Sequence, residues 1–233
     1  MYIRNLGAGL LCSALLITAK SKGPADRIRV AASVFQEIQG AKDKGIPDRL
    51  LEKANGIIIV PGLKRAGFVV GGEYGKGVFV VRTAKGWSAP STIRVEGGSI
   101  GLQIGAGETD LILLAMNQEA VTQLMKTGVK IGGDIMGAAG PIGRQAEADT
   151  TAIPSGGLLA YSRARGIFAG IDLKGTTLRS DDNDNMQIYG RRVDQSDILS
   201  GKIRPTAAAQ PLLSVLRRYF RANPQTEPPP RKR

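Results

Sequence analysis

The sequence predicts an α+β fold: a strongly curved, glycine-rich and mainly antiparallel sheet, arranged as a sandwich or a near-closed barrel, with an N-terminal amphipathic helix and a few covering helices. The chain has 233 residues, of which 42% are hydrophobic, enough for a substantial core, and only 5% are aromatic. Its 31 glycines exceed the usual share of about 7%. Glycine at this density favours turns, bulges and close approach of backbones over long helices.

The first predicted helix begins with Asp26 as its cap and runs to about Gln39. Within it, apolar residues recur at helical spacing and form one stripe. Basic residues lie beside this stripe, so the helix has an apolar face with a cationic flank. The stripe contains Ile28, Ala32 and Phe35, and the flanking cations are Arg27 and Arg29.

Strands dominate after a second short helix that begins at Pro47. Residues 64–82 read KRAGFVVGGEYGKGVFVVR, two runs of β-forming residues around a glycine-rich centre. This centre lacks the spacing of a phosphate-binding loop, so we predict a turn joining two strands, with Lys76 exposed at its tip. The glycines remove side chains from one face, which lets another backbone layer approach or lets the sheet curl.

The remaining elements follow from short apolar runs, from alternating patterns and from helical spacing. Further strands are predicted at residues 56–60, 87–95, 99–105, 110–116, 129–135, 158–164, 166–173 and 176–179. Further helices are predicted at residues 118–126, 185–189 and 210–220.

The two ends of the chain differ from the central domain in composition. One cation, Arg4, precedes an uncharged and mostly apolar run from Leu6 to Ala19. As a helix this run would be roughly 21 Å long, shorter than the ~30 Å hydrocarbon core of a bilayer. We therefore predict a signal peptide or N-terminal anchor at residues 1–22, a domain at residues 23–221 and a disordered, proline-rich basic tail at residues 222–233. The expected location is exported, in the periplasm or cell envelope, as a peripheral membrane protein.

Composition argues against catalysis and against a metal site. The chain has no histidine, the commonest general base and the commonest ligand for zinc, copper and non-haem iron. Its single cysteine, Cys12, cannot form an internal disulfide. The acidic run at residues 181–185 begins like a calcium loop, but Met186 and Arg192 stand where glycine and glutamate are required, so we predict a solvated acidic turn. We expect no enzyme activity, no cofactor and no bound metal.

The net charge of +12 indicates a polyanionic partner, either nucleic acid or an anionic membrane. Nucleic acid is not expected, because the chain lacks interleaved aromatic residues and any helix-turn-helix or RNP-like pattern. Cations beside an amphipathic helix are typical of a peripheral membrane binder. Besides the helix, the residues predicted to contact lipid are Lys42, Lys44, Lys64, Arg65 and Lys76.

Two alternatives stay open at this point. In the first, the apolar stripe of the first helix packs on the sheet instead of entering a bilayer. In the second, the protein is a protein-interaction or scaffold module whose basic surface and tail bind an acidic or filament partner.

Eight segments in order resemble the SYLF domain family over roughly residues 26–221. They read KANGIIIVP, KRAGFVVGGEYGKGVFVVR, GWSAPS, GLQIGAGETDLILLAMN, GPIGRQAEA, AYSRARGIFAGIDLKG, YG and SGKIRP. The resemblance implies a non-enzymatic protein that binds anionic phospholipids, particularly phosphoinositides, through a basic amphipathic N-terminal helix. The apolar stripe and its two flanking arginines occupy the matching segment here.

The resemblance also bears on protein partners. Eukaryotic members often add a Src-homology-3 domain and engage actin filaments. This sequence has no such module, and its export-like start resembles bacterial members of the family. We therefore expect anionic phospholipid in general as the ligand, and we do not expect actin as a partner.

Overall fold

The computed structural model describes residues 23–40, 45–67, 70–100, 105–126, 128–142, 157–164 and 167–220. The predicted export segment, the cations Lys42 and Lys44, and the predicted tail from residue 222 onward lie outside the described residues. Within the described ranges, every helix is too short or too polar to cross a membrane.

Ten strands form one strongly curled sheet, a half-barrel. In chain order the strands are β1 (Gly56–Gly67), β2 (Val70–Thr83), β3 (Gly86–Trp87), β4 (Ser91–Ile100), β5 (Gly105–Ala115), β6 (Val129–Lys130), β7 (Gly137–Ala139), β8 (Leu158–Ala164), β9 (Ile167–Gly170) and β10 (Thr176–Ser180). Their order across the sheet is β6-β10-β4-β2-β1-β5-β8-β7, with β3 beside β2 and β9 beside β8. Among these strands only β7 and β8 pair in parallel. The predicted fold class is confirmed.

Six α-helices accompany the sheet in the described part of the chain. They are α1 (Pro24–Gly40), α2 (Asp48–Lys53), α3 (Gln118–Leu124), α4 (Asp182–Tyr189), α5 (Gln195–Leu199) and α6 (Gln210–Tyr219). Side chains of two residues cap helices, since Asn117 accepts a hydrogen bond from Ala120 at the start of α3 and Asp181 accepts one from Asp184 at the start of α4. Gly190, at a φ of 67°, ends α4.

The helix α1 lies against one face of the sheet, and α6 packs beside it. The predicted apolar stripe is buried there: Ile28 and Phe35 are 0% exposed and Ala32 is 4% exposed. The stripe contacts sheet residues such as Ile59 and Val78 in one core cluster. The expectation that this stripe is free to enter a bilayer is therefore wrong for the folded domain, and the alternative of packing on the sheet is the one observed.

The segment GGEYGKG is part of β2 and does not form the predicted turn. β1 and β2 pair as far as Gly67 and Gly71, so the whole segment lies in the paired part of β2. The sheet bends instead at an irregularity in β1. There the register of its pairing with β2 shifts between Ile59 and Lys64, and Gly62 adopts a φ of 60°. Lys76 consequently lies within a strand and not at an exposed tip.

Two glycines of β2 allow the sheet to curl at this bend. A Cβ on Gly77 would lie 2.4 Å from the carbonyl oxygen of Ile59, and one on Gly75 would lie 2.9 Å from Cγ1 of Val60. Both distances are too short for a side chain, so the expected role of glycine in close backbone approach is confirmed here. Gly72 lies in the same strand, but a Cβ there would have no atom closer than 3.9 Å.

We expect Gly77→Ala to lower the free energy of unfolding by about 1–3 kcal/mol, the usual cost of overpacking a tight site. Its new methyl group would collide with backbone, which cannot rotate away. Gly72→Ala is the matched control and should change stability by no more than about 0.5 kcal/mol. Urea unfolding followed by circular dichroism measures both. Equal stability of the two variants would contradict the role assigned to Gly77.

Candidate functional site

Cations from three elements converge on two carboxylates at the start of α4. Arg27 of α1 donates from Nη1 to Oδ2 of Asp184 at 2.6 Å. Lys76 of β2 lies 2.6 Å from Oδ2 of Asp181 and 3.0 Å from Oδ2 of Asp184. Arg94 of β4 lies farther away, with Nε 3.9 Å from Oδ2 of Asp181. We call these five residues the α4 junction.

Local structure explains why α4 presents its carboxylates inward. The buried amide of Asn185 accepts hydrogen bonds from the backbone N–H and the hydroxyl of Thr92, both at 2.8 Å, and donates to Ser91. These bonds fix the first turn of α4 on β4. Asp181 and Asp184 are only 4% and 6% exposed, so the predicted solvated acidic turn is wrong.

Electrostatics favour the charged forms of Asp181 and Lys76. Burial by itself would raise the pKa of Asp181, but the hydrogen bonds from Lys76 and from the Asp184 amide, with the nearby charges of Lys76 and Arg94, lower it below its ordinary value. Burial would lower the pKa of Lys76, and the bonds to both carboxylates raise it instead. Arg27 and Lys76 are therefore engaged inside the domain and are poorly placed to bind phosphate from solution.

A second set of ion pairs holds the other end of α1. Arg163 of β8 donates to Asp110 of β5 at 2.6 Å and to Glu37 of α1 at 2.7 Å. Sequence analysis missed this contact, because 126 positions separate Glu37 from Arg163. Ion pairs thus secure α1 at both ends over its buried stripe.

The other predicted lipid-binding cations do not form one continuous patch. Arg29 pairs with Asp26 on the exposed side of α1, and Arg65 donates to Glu73 at 3.0 Å. Among the described residues, Lys64 is the one predicted cation that makes no ion pair, and it is exposed on β1. No described set of three or more His, Cys, Asp or Glu side chains is arranged to hold a metal ion.

An open cleft lies beside the α4 junction and has a volume of about 390 Å³. Its lining consists of Arg94, Ser180, Asp181, Asp182, Asn183, Met186 and Arg192. The cleft was not predicted. Alternation in β4 places Arg94 and Glu96 on one face, but only the tertiary structure brings Arg192 to that face.

Four neighbouring strands, β1, β2, β4 and β5, are rich in glycine at one end of the sheet, which we call the sheet end. Tyr74 is 48% exposed on this end and lies opposite Lys64 on β1 and Glu96 on β4. The nearby Gly72 and Gly98 are exposed, and a Cβ on either would have open space. Among the residues described at this end, Tyr74 is the exposed aromatic side chain.

Comparison with known proteins identifies the family. A family profile described as "Ysc84: Las17-binding protein actin regulator" matches residues 96–219, more than half of the chain. The chain belongs to the Ysc84 family. Since this is the SYLF domain family, the resemblance seen in the sequence is confirmed.

Named relatives in the Ysc84 family are longer proteins. LAS seventeen-binding protein 3 of Saccharomyces cerevisiae is 39% identical over 178 residues, which cover 75% of this chain and 39% of that protein. SH3 domain-containing YSC84-like protein 1 of Bos taurus is 34% identical over 204 residues, which cover 86% of this chain and 60% of that protein. The chain therefore spans less than two thirds of the length of these relatives. The Ysc84 description agrees better with the protein-interaction alternative than with lipid binding.

The two arginines of α1 provide a matched test of the α4 junction. We expect Arg27→Ala to lower the free energy of unfolding by about 1–3 kcal/mol, because it removes a hydrogen bond to a buried charge. Arg29→Ala removes an exposed pair with Asp26 and should cost about 0–1 kcal/mol. Urea unfolding of both variants against the parent measures the difference. Equally small losses would show that the contact between Arg27 and Asp184 adds nothing to stability.

Proposed function

We propose that this chain is a non-catalytic protein-interaction module that binds a component of an actin-regulating assembly. The observation that carries the proposal is the family description, together with a yeast relative named for binding LAS seventeen. A non-catalytic role is supported by the absence of histidine from the sequence and by a single cysteine near the N-terminus.

The glycine-rich sheet end is the surface that we assign to the partner. Tyrosine is enriched among residues that dominate binding energy, and Tyr74 is about half exposed. Lys64, directly opposite on β1, adds an unpaired cation among the described residues. Small neighbours such as Gly72 let a flat partner approach the backbone.

Co-sedimentation of the full chain with actin filaments, and capture of the full chain by immobilised Las17, test the proposal. We expect saturable binding to at least one of the two. Tyr74→Ala should weaken that binding about tenfold, as loss of a central aromatic contact does. Lys85→Glu is the control, since Lys85 is exposed in the turn at the opposite end of β2. Binding of the parent to neither protein would contradict the proposed function.

The second candidate function is attachment to an anionic membrane surface. It is supported by the net charge of +12 and by the exposed positions of Arg29 and Lys64. Because the apolar stripe of α1 is buried, we propose electrostatic adsorption of the folded domain, without insertion of the helix. Export directed by residues 1–22 is part of this proposal and rests on the sequence alone.

Sedimentation with vesicles that contain phosphatidylserine tests the second candidate. Arg29→Glu combined with Lys64→Glu should weaken binding at low salt by at least tenfold, because each exposed cation near anionic lipid contributes about 1 kcal/mol and its reversal adds repulsion. Phosphatidylcholine vesicles are the control and should not bind. Equal binding of parent and variant would exclude these residues as the lipid contact.

A further inference from the structure

We infer that the cleft beside the α4 junction receives a carboxylate side chain from an acidic segment of the protein partner. This inference rests on the proposed function and adds the chemistry of recognition to it. Two guanidinium groups, those of Arg94 and Arg192, line the cleft from different elements, one on the sheet and one in the segment after α4.

The guanidinium of Arg94 has unused hydrogen-bonding capacity. Its contacts with carboxylates are both long, 3.9 Å from Nε to Asp181 and 3.9 Å from Nη1 to Glu96. Its Nε is buried without a hydrogen-bond partner among the described residues. The exposed part of the guanidinium therefore has donors to offer an acceptor that enters the cleft. The planar fork of an arginine suits a carboxylate, which accepts two parallel hydrogen bonds from it.

Arg192 provides a second donor group at the open side of the cleft. It is exposed and makes neither a hydrogen bond nor an ion pair with the other residues that the structure describes. Lys76, by contrast, is held by Asp181 and Asp184 and does not line the cleft. An entering acid would therefore meet two guanidinium groups, one from β4 and one from the segment after α4.

The charges in the cleft favour a single carboxylate over a phosphate. Asp181 and Asp182 also line the walls, so the four charged side chains of the cleft sum to zero. A phosphate monoester with nearly two negative charges would face repulsion from both carboxylates. One carboxylate pairs with a guanidinium at lower cost, and a cationic or amide neighbour in the same peptide can pair with exposed Asp182.

The rim of the cleft fits a side chain on a peptide better than a free ion. Met186, 47% exposed, provides an apolar and flexible contact beside the two arginines. The methylene groups of a glutamate side chain would pack on it while the carboxylate reaches Arg94. We therefore assign the site to a peptide segment in which glutamate is accompanied by a basic residue.

Fluorescence anisotropy with a labelled synthetic peptide of alternating Glu, Ala and Lys tests the inference on the full chain. We expect Arg192→Glu to weaken peptide binding at least tenfold. Arg94→Lys keeps the positive charge but loses the planar guanidinium that donates two parallel hydrogen bonds, so it should weaken peptide binding several-fold. Arg191→Glu is the matched control and should leave binding unchanged, since Arg191 is exposed next to Arg192 but does not line the cleft. Thermal unfolding verifies that all three variants are folded.

Three outcomes would overturn the inference. The first is an equal loss of peptide binding in Arg191→Glu and Arg192→Glu. The second is a peptide with Gln in place of Glu that binds as tightly as the Glu peptide. The third is full displacement of the peptide by inorganic phosphate at equal concentration. The cleft variants are also assayed with actin filaments and Las17. If the parent binds one of these and Arg192→Glu binds it equally well, the cleft assignment fails while the proposed function stands. If the parent binds the peptide but neither protein, the proposed function fails instead.

Discussion

The domain depends on the burial of α1 between the sheet and α6. Phe35 of α1 stacks on Phe220 with ring centroids 5.6 Å apart, and Trp87 meets Phe220 edge-on at 4.8 Å. Four large apolar side chains of α1 are buried, worth roughly 6–12 kcal/mol at the usual value for each side chain. This is close to the whole stability of a domain, about 5–15 kcal/mol. A bilayer could receive α1, but it would leave sheet residues such as Ile59 in water, so insertion of α1 amounts to partial unfolding.

The same docking determines which charges the surface presents. The net charge of +12 indicates a cationic protein, yet Arg27 and Lys76 are neutralised within the fold by Asp184, which lies 157 positions from Arg27. Cations outside these pairs, such as Lys64 and Arg192, lie on β1 and in the segment after α4. An anionic partner would therefore meet cations at separate positions of the molecule, and not a continuous flank of one amphipathic helix.

Local pattern was sufficient where one segment determines its own structure. Helical spacing placed α6 to within a residue, and the run LLAYSRA coincides with β8. Local pattern was insufficient where contacts with another segment determine the structure. GGEYGKG continues as a strand paired with β1, whose close approach its glycines allow. The acidic run becomes the cap and first turn of α4, which Asn185 fixes by its bonds to Thr92. The candidate site also depends on contacts between distant segments. Arg94 lies in a predicted strand, but nothing in the sequence indicates that Arg192 lines the same cleft.

The sheet end and the cleft belong to one face of the sheet, which is why a single partner can engage both. Tyr74 lies opposite Glu96, and Lys76 lies opposite Arg94 two positions along the same two strands. Residues two apart on a strand share a face and are about 7 Å apart. Tyr74 and Arg94 are therefore near neighbours on the surface, with Lys76 withdrawn into its ion pairs beside them. An acidic segment that lies across β2 and β4 would place a carboxylate on Arg94 while its backbone passes Tyr74, and the exposed glycines would leave room for that backbone.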